Sequence, residues 1–326
     1  MAVTARTRPA FVHRLVAAVA VAAVLSGVPA LGPPGLAPGA RAAVQSCSSS
    51  TPIADRPTLR RGDTGSCVRV LQQLLLAKGY SVGSAGADGS FGGATWLAVR
   101  RFQSDHINLA IDGVVGPQTW RTLVLGGTRY SRTRGPNLTS RVVLSFDDCP
   151  RSYTAFQSAV LGAERLGVAL VLFPTGNCLL SGRFSAAYAR SHGHYVFNHS
   201  VSHPDLRTLS YSGVLSQLGS PGVVTSYGRP PYGAYNTTVL NGYAAKAMRV
   251  WTWTVDTQDW TGRTQSAVVS HAVSSSSAGG TVLMHMAWNA FNTTAISQMK
   301  SGLANHGLGV CRNLGPTAVA PRTLSC

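Results

Sequence analysis

Between Arg141 and Val310, short apolar runs alternate with helical stretches, and this alternation limits the possible folds more than any other feature of the chain. The runs RVVLSF, VALVLFP, HYVFNHS, RVWTWTVD and GTVLMHM have the length and apolarity of buried strands. Between them, SAVLGAERLG and FSAAYARSHG carry helical spacing. Strand–helix alternation over some 170 residues predicts an α/β fold with parallel strands, because each parallel pair needs a crossover and a helix supplies it. In such folds the chemistry collects at the carboxyl ends of the strands.

Polar residues fall where those strands should end. Asp147 and Asp148 close the first run, and His199 and His203 follow the third. Arg229 opens RPPYGAYN, Asp256 and Asp259 lie in VDTQDW, and His285 follows TVLM. A lone histidine is usually structural and two adjacent acids usually form a solvated turn, but five such clusters at strand ends argue for one site. The i, i+4 spacing of His199 and His203 predicts both rings on one side of a helical turn, facing a shared metal. Asp148 supplies a third ligand in that scheme. Two histidines and a carboxylate also form the facial triad of non-haem iron oxygenases, so the ligand set alone leaves the reaction open.

A repeat precedes this region. ADGSFGGATW (87–96) and IDGVVGPQTW (111–120) share D-G-x-x-G-x-x-T-W, offset by 24 residues. Each copy predicts a turn at Asp-Gly and a Thr-initiated helix after the second glycine. CVRVLQQLLLAKGY and TWLAVRRFQSDH carry apolar helical stripes, so residues 56–126 read as a small all-helical module. Residues 127–140, rich in Gly, Ser, Thr and Arg without apolar periodicity, read as a basic linker.

The amino terminus has the layout of a secretory signal peptide over residues 1–42. Arg6, Arg8 and Arg14 precede an apolar run from Leu15 to Leu25, and ARA at 40–42 offers a cleavage site. The run is short for a membrane anchor and Pro29, Pro33 and Pro34 follow it, so no stable anchor is expected. Cleavage after Ala42 removes four arginines and no acid, taking the net charge from +17 to 17 − 4 = +13. A basic exported protein suits a polyanionic surface such as a bacterial cell wall. No helix-turn-helix or finger spacing points to nucleic acid, and a monomer is expected. A mature segment at 43–55 would lead into the module. Six cysteines remain, an even number that suggests disulfides in an exported chain, and they allow 15 connectivities. Sequence proximity favours Cys47 with Cys67, Cys149 with Cys178, and Cys311 with Cys326, the last tying down a carboxyl-terminal tail at 311–326.

The module's pattern, LRRGDTGSCVRVLQQLLLAKGY followed by both repeat copies, closely resembles the peptidoglycan-binding domain of bacterial wall hydrolases. Over 141–310, SFDDCP, HSVSH, RPPYG, DTQDW and LMH resemble, in order and approximate spacing, the five motifs of the polysaccharide deacetylases, the NodB-homology or family 4 carbohydrate esterases. That resemblance implies a distorted (β/α) barrel and removal of acetyl groups from N-acetylated glycans or O-acetylated xylan. It implies a divalent metal, zinc before others, on Asp148, His199 and His203, polarising the acetyl carbonyl and activating water. Asp147 would be the general base and Arg229 its partner. The backbone N–H of Tyr232 would hold the oxyanion, and His285 would be the general acid, oriented by Asp256. Trp260 and Leu283 would wall the acetyl pocket, and Asp259 would be a helix cap or an outer support.

Some positions depart from the family pattern. Ser145 and Cys149 stand where the first motif usually has Thr and Gly, and Met286 stands where an acid commonly follows the last histidine. None of these replaces a ligand, base or acid. Cys149 reads as half of a staple on the catalytic loop, with Cys178 as its partner. The appended module favours peptidoglycan as substrate. Chitin oligosaccharide or acetylxylan is the alternative within the family, and a non-catalytic wall-binding protein is a third reading that the intact site opposes.

Overall fold

Three helices make the module: α1 (Ser66–Ala77), α2 (Gly93–Ser104) and α3 (Pro117–Leu125). The computed structural model describes residues 46–219 and 225–326, so the expected leader lies outside the described residues. The module's core joins Val68, Leu71, Leu75, Val99, Phe102, Trp120 and Leu123. The repeat proves structural. In the first copy, buried Gln72 donates to Asp88, to the Ser90 carbonyl and to Thr95, and accepts from the Gly89 N–H. Gln103 does the same in the second, with Asp112, Val114, Thr119 and Gly113. Both helices begin two residues before the threonine, at Gly93 and Pro117, because the threonine hydroxyl is drawn inward to the glutamine. Gly113, at φ +77°, is required twice over: a Cβ there would collide with Trp96.

The remaining chain forms β1 (Val143–Asp148), α4 (Tyr153–Arg165), β2 (Leu170–Pro174), α5 (Gly176–Leu180), α6 (Ala186–Ser191), β3 (Tyr195–Val196) and α7 (Tyr211–Gln217). It continues with β4 (Tyr227–Gly228), α8 (Thr237–Ala245), β5 (Arg249–Val250), β6 (Val255–Asp256), α9 (Gln265–Ser275), β7 (Thr281–His285) and α10 (Thr293–Asn305). All strand pairs are parallel. One sheet runs β3-β2-β1-β7-β6, a second pairs β4 with β5, and a parallel bridge between Asn198 and Gly228 joins them. The cyclic order is therefore 6-7-1-2-3-4-5, with β7 returned beside β1 and no ladder between β5 and β6 among the described residues. This is a distorted (β/α) barrel, open at one seam.

Two strand expectations change. RVWTWTVD is not one strand but β5 and β6, parted at the open seam, where Thr252 N–H donates to the Arg132 carbonyl. β4, only two residues long, has no periodicity to betray it. Along β1 the side chains alternate. Leu144 and Phe146 face the helices, packing with Phe156, Val160 and Ile296. Val143 faces the interior with Val171, Phe173, Phe197, Tyr227 and Trp251, as do Ser145 and Asp147, which Arg229 contacts there. The tail closes the opposite end. Leu324 and Cys326 pack beside Val143 and Ala169, and the Tyr227 hydroxyl donates to the Arg322 carbonyl.

Module and barrel belong to one compact unit. The stretch expected as a linker is packed between them: Tyr130 and Asn137 are buried, and Arg132 meets Asp105 at 2.6 Å. Gly135, at φ +60°, lies against Trp251, where a Cβ would have no room. Buried Arg249 donates to the carbonyls of Gln103, Ser104, His106 and Leu109, at 2.7–3.2 Å. Two of these are carbonyls of the last turn of α2, which lack partners within their own helix. The disulfides are Cys47–Cys67, Cys149–Cys178 and Cys311–Cys326. The first ties the segment before the module to α1, the second ties the loop after β1 to α5, and the third closes the tail on itself.

Candidate active site

Alternation along β1 would send Asp147 and Asp148 to opposite faces. The structure brings them into one cleft because Asp148 takes φ +70° and breaks the alternation. Asp147 is buried, and its Oδ1 accepts from Arg229 Nη1 at 2.6 Å. Arg229 is fully buried and donates also to Ser145 Oγ and to the carbonyls of Trp251 and Thr252. Its guanidinium lies 4.1 Å from the centre of the Phe173 ring. Burial pulls the arginine below its ordinary pKa and Asp147 opposes that pull. Ser145 therefore serves as a strut in the arginine's cage, donating in turn to the Val282 carbonyl.

His199 and His203 do meet, with ring centres 5.0 Å apart, but no helical turn carries them. Pro204 disfavours helix at His203, and Ser200 and His203 both take positive φ. Side chains hold the loop instead: Asn198 accepts from the Ser200 N–H and Ser200 Oγ accepts from the His203 N–H. Each histidine Nε2 lies 3.4 Å from Asp148 Oδ1. His199 Nδ1 sits 2.8 Å from the Arg229 carbonyl, which can only accept. The neutral ring therefore carries its proton on Nδ1, which leaves the Nε2 lone pair for a ligand.

The three donor groups lie within 4.8 Å of one another. Two imidazole nitrogens and a carboxylate, partly buried, suit a divalent metal of the zinc type, so the chemistry of the donor set fits. The charges agree. Burial raises the Asp148 carboxyl, but the hydrogen bond and charge of His199, with His203 beside it, outweigh burial and bring it to about 2. Burial would lower His199, yet Asp147 and Asp148 raise it above an ordinary histidine. His203 is lowered, by burial and by His199.

On the other side of the cleft stands His285, at the end of β7. Asp256 was expected to orient it, and here the structure requires a correction. Asp259, itself buried, reaches His285 Nδ1 at 2.7 Å through Oδ1 and accepts the His285 backbone N–H through Oδ2. Asp256 instead accepts the backbone N–H of Gln258 and lines the cleft. The reason is local: Gln258 takes the left-handed conformation and starts a turn of 3-10 helix at Asp259–Thr261 that swings Asp259 back towards β7. Nothing in DTQDW signals which of two acids three apart is turned inward. Burial works to lower His285, but Asp259 and the other carboxylates raise it.

The cleft measures about 390 Å³. Trp260 and Leu283 line it as expected, and so does Tyr232, largely exposed at φ +61°, its ring 4.7 Å from that of His203. Trp253 and Trp288 also line it, and sequence reasoning passed over both. Each lies three residues from a motif position, Asp256 or His285, which was the available signal. No helix of the described residues is long and apolar enough to cross a membrane.

Fold and site together define a (β/α)-barrel protein with an arginine-held carboxylate and a carboxylate-held histidine flanking a metal-competent triad. Comparison with known proteins narrows the class. Residues 64–123 match the model of a putative peptidoglycan binding domain, and residues 134–251 match that of polysaccharide deacetylase. The second match takes in Asp147, Asp148, His199, His203 and Arg229, and stops short of Asp259 and His285. The chain is 30% identical over 170 residues to a chitooligosaccharide deacetylase of Rhizobium leguminosarum bv. phaseoli, covering 49% of this chain and 72% of that one. It is 32% identical over 182 residues to a bifunctional xylanase/xylan deacetylase of Cellvibrio japonicus, covering 53% of this chain and 27% of that one. It is 30% identical over 166 residues to a peptidoglycan-N-acetylglucosamine deacetylase of Listeria monocytogenes, covering 48% of this chain and 34% of that one. The chain thus spans about a quarter to a third of the length of these last two relatives. Among solved structures, a family 4 carbohydrate esterase from Streptomyces lividans in complex with acetate aligns at TM-score 0.46 and 26% identity, over 55% of this chain and 98% of that one. The chain belongs to the polysaccharide deacetylase family.

Proposed function

We propose that this protein is a secreted, metal-dependent polysaccharide deacetylase that hydrolyses the N-acetyl groups of peptidoglycan amino sugars and releases acetate at the cell wall. The observation that carries the reading is the pairing, across one cleft, of an arginine-held carboxylate with a carboxylate-held histidine, on either side of Asp148, His199 and His203. A divalent metal bound there, zinc before others, would supply Lewis acidity towards the acetyl carbonyl and the attacking water. Asp147 takes a proton as the water oxygen attacks the carbonyl carbon, and Arg229 holds that carboxylate in position. The Tyr232 N–H donates to the carbonyl oxygen as charge grows on it. His285 gives its proton to the nitrogen as the C–N bond breaks, and Asp259 orients the ring and supports its charge. Trp260 and Leu283 exclude water around the acetyl methyl. The products are acetate and a free amine on the glycan.

The match to a peptidoglycan-binding domain supports the choice of polymer. A second reading within the family is supported by the chitooligosaccharide and xylan deacetylases among the relatives. One experiment separates them: acetate release from peptidoglycan, chitin oligosaccharide and acetylxylan, each with and without chelator. Release from peptidoglycan, abolished by chelator and restored by zinc, is the expected result. Release only from chitin or xylan overturns the choice of polymer, and release from none overturns the activity.

A further inference from the structure

Trp288 lines two cavities. One is the catalytic cleft, and the other is a cavity of about 520 Å³ that also includes Arg151, Gln265, Asn289 and Asn292. Their chemistry differs. The cleft contains Asp147, Asp148 and Asp256, whereas no acid lines the second cavity and Arg151 is its one charged group.

Arg151 is held in place before any ligand arrives. Its Nε donates to the Ala287 carbonyl at 2.6 Å, and Nη2 reaches Asn289 Oδ1 at 3.4 Å. Those bonds use two of five N–H groups, so among the described residues three on the terminal nitrogens stay available. The residue lies between the Cys149–Cys178 disulfide and Ser152, whose side chain caps α4, so the chain is fixed on both sides. Helices α9 and α10 also begin at the rim, with Thr264 and Asn292 as caps, and their positive ends reinforce the arginine. Asn292 is bonded to Gln265, to the Asn289 carbonyl and to the Ala295 N–H, so it stiffens the rim. Among the described residues, Asn289 and Gln265 each keep one amide N–H beyond their bonds to Arg263 and Gln298, beside the indole of Trp288.

We propose that this cavity is a subsite for a carboxylate-bearing sugar adjoining the one that is deacetylated, and that Arg151 is the residue that reads its carboxylate. The proposal rests on the deacetylase reading of the cleft and supplies it with a basis for choosing among polymers. In peptidoglycan every second sugar carries a lactyl ether, so carboxyl groups recur along the strand on that ether or on its peptide. A chitin strand has none. A glycan crossing the cleft past Trp288 would place the neighbouring sugar beside an arginine fork, whose geometry matches a carboxylate.

The test compares a tetrasaccharide of alternating N-acetylglucosamine and N-acetylmuramic acid with the same compound amidated at its carboxyl groups, and with chitotetraose. For wild type, Arg151→Gln and Arg151→Lys, kcat/KM for acetate release is measured, together with affinity in the Asp147→Asn background. The carboxylate-to-amide ratio should fall about threefold to tenfold in Arg151→Gln, the scale of one solvent-screened charge-assisted contact. Arg151→Lys should recover part of the loss, and added salt should lower the wild-type ratio. A ratio unchanged by Arg151→Gln overturns the subsite. Equal loss on all three compounds also overturns it, since Arg151 would then only brace the Ala287 loop. If wild type releases acetate from none, the deacetylase reading fails, and the affinity ratios still decide whether Arg151 reads a carboxylate.

Discussion

Arg229 and Arg249, twenty residues apart, are both buried, and the surroundings of the two are instructive in their difference. Arg229 spends its donors on a carboxylate, a hydroxyl and two carbonyls, under the catalytic cleft. Among the described residues Arg249 meets no carboxylate, and it donates to four carbonyls of the helical module. Burial pulls both below the ordinary arginine pKa. The first is one half of an ion pair whose charge matters to a neighbour proposed to accept a proton. The second is a bracket, in which direction and reach matter and charge serves only to strengthen bonds to the end of α2. A buried arginine is therefore not in itself a sign of chemistry; the presence of a titratable partner is.

The largest break in this comparison comes from the partner. Asp147→Asn should lower kcat by about 10²–10⁴-fold, the usual worth of a general base, while the metal content of the purified protein stays that of wild type. Normal turnover would remove Asp147 from the base position. Next comes Arg229→Met, which strands the buried Asp147 carboxylate. It should cost about 3–5 kcal/mol of unfolding free energy, read from denaturant titration. The double variant with Asp147→Asn should be more stable than Arg229→Met alone, because the stranded charge is gone. If the two losses simply add, the ion pair is not what makes Arg229 matter.

Arg249→Met tests the other half. The loss should be smaller, about 1–3 kcal/mol for a charged donor removed from buried carbonyls. Calorimetry should show one unfolding transition in wild type and two in the variant, as module and barrel come apart. Turnover of a short soluble glycan should be retained, since Arg249 is not among the residues that line the cleft. A single transition in both proteins would mean that Arg132 with Asp105 and the packed stretch around Tyr130 suffice to hold the seam.

Much of the site could be read from the sequence because strand ends are visible as boundaries of apolar runs, and the chemistry sits at those boundaries. Asp147, Asp148, His199, His203 and His285 are all of this kind, and all five line one cleft. What could not be read depends on backbone conformations that no side-chain pattern encodes. The left-handed Gln258 decides that Asp259 and not Asp256 faces His285. The positive φ of Ser200 and His203 replaces a helical turn with a loop that still brings the rings together. The seam was hidden for a different reason. Residues 127–140 look like a linker because their contacts are made by arginine, tyrosine and backbone groups, none of which leaves an apolar period. The short β4 and β5 were invisible or merged because two residues cannot show alternation.

The Asp259 assignment can be sharpened by the smallest effect. As the proposed general acid, His285 must hold a proton to give one up, so its contribution is full below its pKa and falls as pH rises through it. Burial alone would lower that pKa, but contact with Asp259, helped by Asp147 and Asp148, raises it above the ordinary histidine value. The alkaline limb of the kcat profile should therefore lie above the range of a free histidine. Asp259→Asn keeps the size of the side chain and an acceptor for Nδ1–H while removing the charge, so the limb should move to lower pH and the acidic limb should stay. Asp256→Asn, which leaves the contact to His285 intact, should not move the alkaline limb. If the two variants exchange behaviours, the partner of His285 in the working enzyme is Asp256 after all, and the turn at Gln258 would have to rearrange when substrate binds.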